Sequence, residues 1–162
     1  MDPLELIPHR APIRCLDRAV HCAADEAIAE QDLANRDGAA QDLAEQDPHL
    51  EAGQLWTGGL IEGLAQTAAL LAAAPLLEGE RPAEGTAPLR GVLASVRGFE
   101  VLRRPRAGET VRYTVRPLTR LGGALLIAGE AHVGEELVAR GRLQLHLHPA
   151  SASAPEPPAG PA

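Results

Sequence analysis

One long apolar run dominates the hydropathy pattern of the chain. It spans Gln54 to Ala74, reads QLWTGGLIEGLAQTAALLAAA, and carries a single charged residue, Glu62. A helix that is apolar nearly all round is typical of an element enclosed by the rest of a fold. A membrane span is the alternative, but two early glycines, an acid and many weakly apolar alanines argue against it. We therefore predict a buried helix with Thr57 as its N-cap and Pro75 at its far end.

Polar and apolar residues alternate with a period of two in the C-terminal half of the chain. Such alternation is typical of half-buried antiparallel strands. The four predicted strands are Arg90–Val101, Thr110–Arg116, Gly123–Val133 and Leu137–His148. Residues Pro105–Glu109 are expected to turn between the first two strands, and Gly134-Glu135 to connect the last two tightly.

Two further strands are predicted before the apolar helix, at Ile13–Cys22 and Glu26–Leu33, with a turn signal at Asp37-Gly38. In the segment that precedes these two strands, prolines allow at most a short helical turn. The acidic segment 41–51 is expected to be irregular. An antiparallel sheet curled around one central helix is the economical way to bury such a helix, so the fold class is α+β. Residues 1–148 form the predicted domain, and residues 149–162 a disordered Pro/Ala-rich tail.

Composition and charge exclude several function classes. The net charge of −7 and the pI near 5.3 argue against nucleic acid or an anionic membrane as the main partner. All 15 basic residues are arginine, so chemistry through a lysine Schiff base is excluded. Cys15 and Cys22 have no metal-ligand spacing, and the N-terminus lacks the pattern of a signal peptide. We expect a cytoplasmic protein with reduced thiols, no metal and no cofactor.

Four strings, in chain order, resemble segments of the hot-dog-fold 3-hydroxyacyl-ACP dehydratases of the FabZ type. They are LIPHRAPIRCLDRAV (Leu6–Val20), IEGLAQTAALLA (Ile61–Ala72), VRGFEVLRRPRAGETV (Val96–Val111) and GEELVARGRLQL (Gly134–Leu145). The resemblance implies the hot-dog fold, in which an antiparallel sheet wraps around one long helix. It also implies an acyl thioester substrate on acyl carrier protein or coenzyme A, and a homodimer or higher oligomer.

The resemblance also implies which residues act. Elimination of water from a 3-hydroxyacyl thioester needs a base, an acid and donors to the thioester oxygen. By resemblance, His49 is the base and Glu62 the acid, each from a different subunit. The backbone N–H groups of Gly58 and Gly59 polarise the carbonyl, and Gln66 is a further substrate-binding candidate. In this chain His49 precedes Glu62 by thirteen residues, one fewer than in the family motif, and the prolines of that motif are absent.

Structural alternatives accompany each of these candidates. Glu62 could be a structural acid bonded to Arg10 or Gln66, because a charge on an apolar helix must be paired or neutral. His49 could be an exposed loop histidine. The two glycines could serve close packing. His9 and Arg10 are expected to anchor the N-terminal turn against the helix.

Two alternative functions also remain open at this stage. One is a thioesterase on the same fold, in which Glu62 activates water. The other is a catalytically silent acyl-binding or partner subunit that has lost the histidine motif. A basic cluster formed by Arg103, Arg104 and Arg106 could steer an acidic carrier protein, or could be a solvated strand end.

Overall fold

The computed structural model of the protein describes residues 2–7, 9–10, 13–33, 50–77 and 89–149. Only the backbone is described at residues 6, 75–77, 89–90 and 149. His49, the Asp37-Gly38 turn and the predicted tail from residue 150 onward lie outside the described residues.

Within these described ranges, one helix and eight strands follow a short 3₁₀ turn at Pro3–Leu6. The strands are β1 (Arg18–Cys22), β2 (Ala27–Asp32), β3 (Leu50–Glu51), β4 (Gln54–Leu55), β5 (Leu89–Val101), β6 (Thr110–Leu121), β7 (Ala124–Val133) and β8 (Glu136–Pro149). The helix, α1, spans Thr57–Leu77 between β4 and β5. The predicted order of two strands, one long helix and four strands is confirmed for the six-stranded sheet and α1, whereas β3 and β4 are additional short strands between β2 and α1.

The main sheet is antiparallel and six-stranded, in the order β1-β2-β6-β7-β8-β5. The alternation predicted for β6 is confirmed, because Val111, Tyr113 and Val115 are fully buried toward α1. The tight connection at Gly134-Glu135 is also confirmed, since Val133 pairs directly with Glu136. Gly134 has a φ of +60°, a conformation that glycine adopts without steric cost.

Strand β5 differs from the sequence-based prediction. It pairs with β8, not with β6, the next strand along the chain. The segment that contains Pro105–Glu109 therefore crosses from one edge of the sheet to its interior and does not close a hairpin. The β3–β4 hairpin, which begins at Leu50, was not predicted either.

Both predicted ends of the helix are wrong, by one residue at the start and by two at the end. The first helical hydrogen bond runs from Leu60 N–H to Trp56 O, so Trp56 occupies the N-cap position that was predicted for Thr57. The helix also continues through Pro75 to Leu77. A proline so close to the end of a helix removes one of the last backbone bonds without breaking the turns before it.

Helix and sheet approach each other most closely at Gly63. A Cβ atom on this glycine would lie 2.2 Å from Cζ of Tyr113. The buried hydroxyl of Tyr113 donates a hydrogen bond to Oε1 of Gln31 at 2.6 Å. The sheet backbone approaches a helix side chain in the same way at Gly129 on β7, where a Cβ atom would lie 2.9 Å from Cδ2 of Leu64.

The outer face of the sheet contains an ion triad in which the carboxylate is buried and the two arginines are largely exposed. Glu30 on β2 lies directly between Arg18 and Arg112 on the neighbouring strands. Its Oε2 accepts from Arg18, and its Oε1 accepts from Arg112 Nη2 at 2.7 Å. Burial alone would raise the pKa of Glu30, but the hydrogen bonds and charges of the two arginines outweigh it and lower that pKa below its ordinary value.

The Gly63→Ala substitution is expected to destabilise the protein. The new methyl group would overlap the Tyr113 ring, which costs about 1–3 kcal/mol net even though alanine favours helices. Chemical unfolding measures the loss. In a Tyr113→Val background the same substitution should be neutral or stabilising. A harmless Gly63→Ala in both backgrounds would contradict the proposed close approach.

Glu30→Gln should lower stability at neutral pH by about 1–3 kcal/mol. A carboxyl whose pKa is lowered by folding contributes stability above its ordinary pKa and loses it as the pH falls through the folded value. The difference between wild type and variant should therefore shrink below about pH 4.5. The control is Glu100→Gln, which breaks the exposed pair with Arg140 and should cost less than about 1 kcal/mol.

Candidate functional site

Glu62 lies on the one half-exposed face of α1. Its side chain is 34% exposed, whereas Leu60, Leu64 and Leu71 on the faces toward the core are buried. Half-buried Ile61, with alanines one and two turns further along, continues the same face. The carboxyl group of Glu62 therefore lies beside a row of apolar side chains that the rest of the protein covers only in part.

Gln66 connects Glu62 to the N-terminal segment. Its Nε2 donates to Glu62 Oε1 at 2.7 Å and to Ile13 O at 2.9 Å. Its Oε1 accepts from the backbone N–H of Cys15 at 3.0 Å and from the Cys15 thiol at 3.2 Å. Gln66 is 1% exposed, so its amide is fully used inside the protein. The geometry therefore indicates that Gln66 fixes the position of the Glu62 carboxyl group from the buried side of the helix.

Among the described residues, His9 is the histidine whose imidazole lies close to Glu62. Its Nε2 lies 3.7 Å from Glu62 Oε1. Arg10, the other sequence-based candidate partner of the acid, instead donates to Ile7 O at 2.7 Å and to His9 O at 3.0 Å. Of the two structural alternatives for Glu62, the bond to Gln66 is present and the bond to Arg10 is not.

The start of α1 is packed closely. A Cβ on Gly58 would lie 2.2 Å from the indole of Trp56, so this exposed ring would have to move to admit a larger residue. Gly59 is buried. The N–H groups of residues 57–59 precede the first helical hydrogen bond, at Leu60, and are not part of the helical ladder. Close packing is thus present at Gly58, and the geometry leaves the N–H groups of the first turn available to an acceptor.

The hairpin that leads into α1 is fixed to the connection between β5 and β6. Leu55 N–H donates to Pro105 O at 2.7 Å, and Ala107 N–H donates to Gly53 O at 2.9 Å. Arg104 Nε donates to Leu55 O at 3.1 Å. His49 itself lies outside the described residues, but it directly precedes this anchored hairpin.

Two of the three clustered arginines are paired with acids. Arg104 contacts Glu51 at 2.9 Å. Arg103 contacts Glu109 at 2.8 Å and Glu136 at 2.9 Å, and its hydrogen bond lowers the pKa of Glu109. These ion pairs connect segments that are distant in the sequence. Because the acids neutralise the two arginines, little free positive charge remains in the cluster.

Within the described ranges, no group of three or more His, Cys, Asp or Glu residues is arranged to hold a metal ion. No helix in that part of the chain combines the length and the apolar character needed to cross a membrane. Cys15 is buried and Cys22 is half-buried, and burial raises the pKa of the Cys22 thiol.

Comparison with known proteins identifies the family. Residues 1–154 match the ApeP-like family, described as ApeP dehydratase. The chain belongs to the ApeP-like dehydratase family. It is also 30% identical over 141 residues to the 3-hydroxyacyl-[acyl-carrier-protein] dehydratase FabZ of Thermotoga petrophila, an alignment that covers 86% of this chain and 90% of the relative. The resemblance to FabZ-type dehydratases is therefore confirmed.

Solved structures confirm the hot-dog fold. The dehydratase heterocomplex ApeI:P from Xenorhabdus doucetiae superposes with a TM-score of 0.74 at 16% identity, over 91% of each chain. A mutant thioesterase from Pseudomonas aeruginosa superposes with a TM-score of 0.59 at 12% identity, over 82% of this chain and 81% of that one. At these identities the likeness concerns the fold alone.

The Gln66→Leu substitution should destabilise this ApeP-like dehydratase by about 2–4 kcal/mol. It would leave the Cys15 N–H and the Ile13 carbonyl without their side-chain partner, and each such group costs about 1–3 kcal/mol when buried. Amide hydrogen exchange at Cys15 should accelerate. The control is Gln144→Leu on the outer sheet face, which should change stability by less than about 0.5 kcal/mol. Equal effects of the two substitutions would contradict the role of Gln66.

Proposed function

We propose that the protein is a 3-hydroxyacyl-thioester dehydratase that forms the 2-enoyl thioester. The observation that carries the proposal is Glu62, held at Oε1 by Gln66 on the open face of a buried helix, in a chain of a dehydratase family. In a neutral carboxyl group the oxygen that accepts from Gln66 is the carbonyl oxygen. The proton then lies on Oε2, where it can be given to a substrate.

Glu62 is the proposed acid and His49 the proposed base. The imidazole removes the proton from Cα, the bond from Cβ to its hydroxyl breaks, and Glu62 Oε2–H protonates the departing oxygen, so water leaves. The N–H groups of Gly58 and Gly59 are proposed to bind the thioester oxygen as negative charge develops on it. Gln66 acts on the substrate only through Glu62, because its own amide is saturated.

A second hot-dog subunit is proposed to complete the site. Within the described residues, β5 is an edge of the sheet, and it exposes Val92 (54%) and Leu93 (37%) on opposite faces. A long apolar edge of this kind favours pairing with another strand. The subunit across β5 would cover the row of apolar side chains formed by Ile61 and the alanines after it, and this row would then be one wall of the acyl channel. The same subunit would supply His49.

The partner subunit is proposed to be a second copy of this chain. The Xenorhabdus structure is a heterocomplex, which supports a different hot-dog chain as the alternative partner. Size-exclusion chromatography with light scattering distinguishes a homodimer from a monomer that needs a foreign partner.

The carrier of the acyl group is proposed to be acyl carrier protein, because the FabZ relative is named for that substrate.

The purified protein should convert a 3-hydroxyacyl-ACP into the enoyl thioester, followed by mass spectrometry. Glu62→Gln and His49→Gln should each lower kcat by about 10²–10⁴-fold, the range for loss of a general acid or base. Mixing the two inactive variants should restore activity, because one site of a mixed dimer combines Glu62 of one chain with His49 of the other.

Other products would identify the other candidate functions. A free acid in place of the enoyl thioester would indicate a thioesterase. Tight acyl-carrier binding without turnover would indicate a silent subunit. Inactive mixtures of two singly inactive variants would contradict a site shared between subunits.

A further inference from the structure

Three properties of His9 are not explained by the proposed acid, Glu62, or the proposed base, His49. Its Nε2 lies 3.7 Å from Glu62 Oε1, and its side chain is 33% exposed at the same opening as Glu62. Its Nδ1 is buried and has no hydrogen-bond partner among the described residues. An imidazole with one nitrogen enclosed and the other facing a carboxyl group is held in a defined orientation.

The enclosed nitrogen determines where the ring carries its proton. A proton on Nδ1 would be a buried donor with no acceptor in the part of the chain that the structure describes, which is costly. The favoured neutral tautomer therefore carries its proton on Nε2, the nitrogen that faces Glu62. His9 thus presents an N–H donor to the oxygen that already accepts from Gln66 at 2.7 Å.

The strength of this donor changes during the proposed reaction. At 3.7 Å, His9 and Glu62 are too far apart for a hydrogen bond in the resting protein. When Glu62 gives its proton to the departing hydroxyl group, it becomes a carboxylate and attracts N–H donors more strongly. A contact that is loose before the reaction and tight as charge develops stabilises the transition state more than the ground state.

We propose that His9 is a positioning residue of the same chain, whose Nε2–H stabilises the carboxylate that forms on Glu62 during elimination. The inference rests on the proposed function and deepens it, since His9 acts only through Glu62. Arg10 does not compete for this role, because its guanidinium is bonded to the carbonyl oxygens of Ile7 and His9.

Two substitutions at His9 separate this role from simple packing. His9→Leu removes the donor and should lower kcat by about 10–100-fold, less than the loss of a preorganised oxyanion donor, with KM changed by less than about twofold. His9→Gln offers an amide N–H near the position of Nε2 and should recover most of kcat. The matched control is His21→Leu on exposed β1, which should leave both constants unchanged.

Unfolding midpoints of all three variants identify a structural effect. If His9→Leu and His9→Gln lose activity equally, or if the loss follows a fall in stability, the donor role is wrong. Wild-type kcat in His9→Leu would also overturn it.

Nitrogen-15 NMR of the histidine rings tests the inference without turnover. His9 should show the Nε2–H tautomer, and its Nε2 resonance should move in Glu62→Gln while that of His21 does not. A proton on Nδ1, or an unmoved resonance, would refute the inference. If the wild type lacks dehydratase activity, the proposed function fails while this spectrum still reports on His9. If Glu62→Gln and His49→Gln are inactive but His9→Leu is not, the inference alone fails.

Discussion

The close approach of one helix to one sheet determines the rest of the structure. At Gly63 the helix backbone rests against the ring of Tyr113, and at Gly129 the sheet backbone rests against Leu64. These paired contacts fix both the depth and the rotation of α1, because neither side can turn without a steric clash. Glu62 precedes Gly63 by one residue, about 100° around the helix. Its direction, away from the sheet, follows from that fixed rotation.

Local sequence patterns were sufficient to predict most of the elements. Alternation over residues 110–116 predicted a strand whose inner residues are buried, and the apolar run from Gln54 predicted the helix. The neighbour of β5 was not predicted, because pairing with β8 depends on contacts far apart in the chain. The end of the helix was placed too early, since a proline near the last turn removes little that the helix needs.

The candidate site was only partly predictable for the same reason. A single acid in an apolar helix is visible in the sequence, and so is a glutamine four residues later on the same face. The three other groups bonded to that glutamine belong to residues about fifty positions away, and no local pattern encodes them. His9 was expected to anchor the N-terminal turn. Only the folded chain shows that its imidazole faces the acid, although its place in the PHR string was a usable signal.

The exposed edge of β5 has a consequence for how such proteins diversify. An edge strand is matched largely through backbone groups, which are the same in every sequence, so two copies of a duplicated gene can pair there as readily as one copy with itself. In the proposed dimer, one copy of a duplicated pair could lose its acid or its base and still be required to enclose the site of the other. Selection then preserves the fold of that copy more strictly than its chemistry.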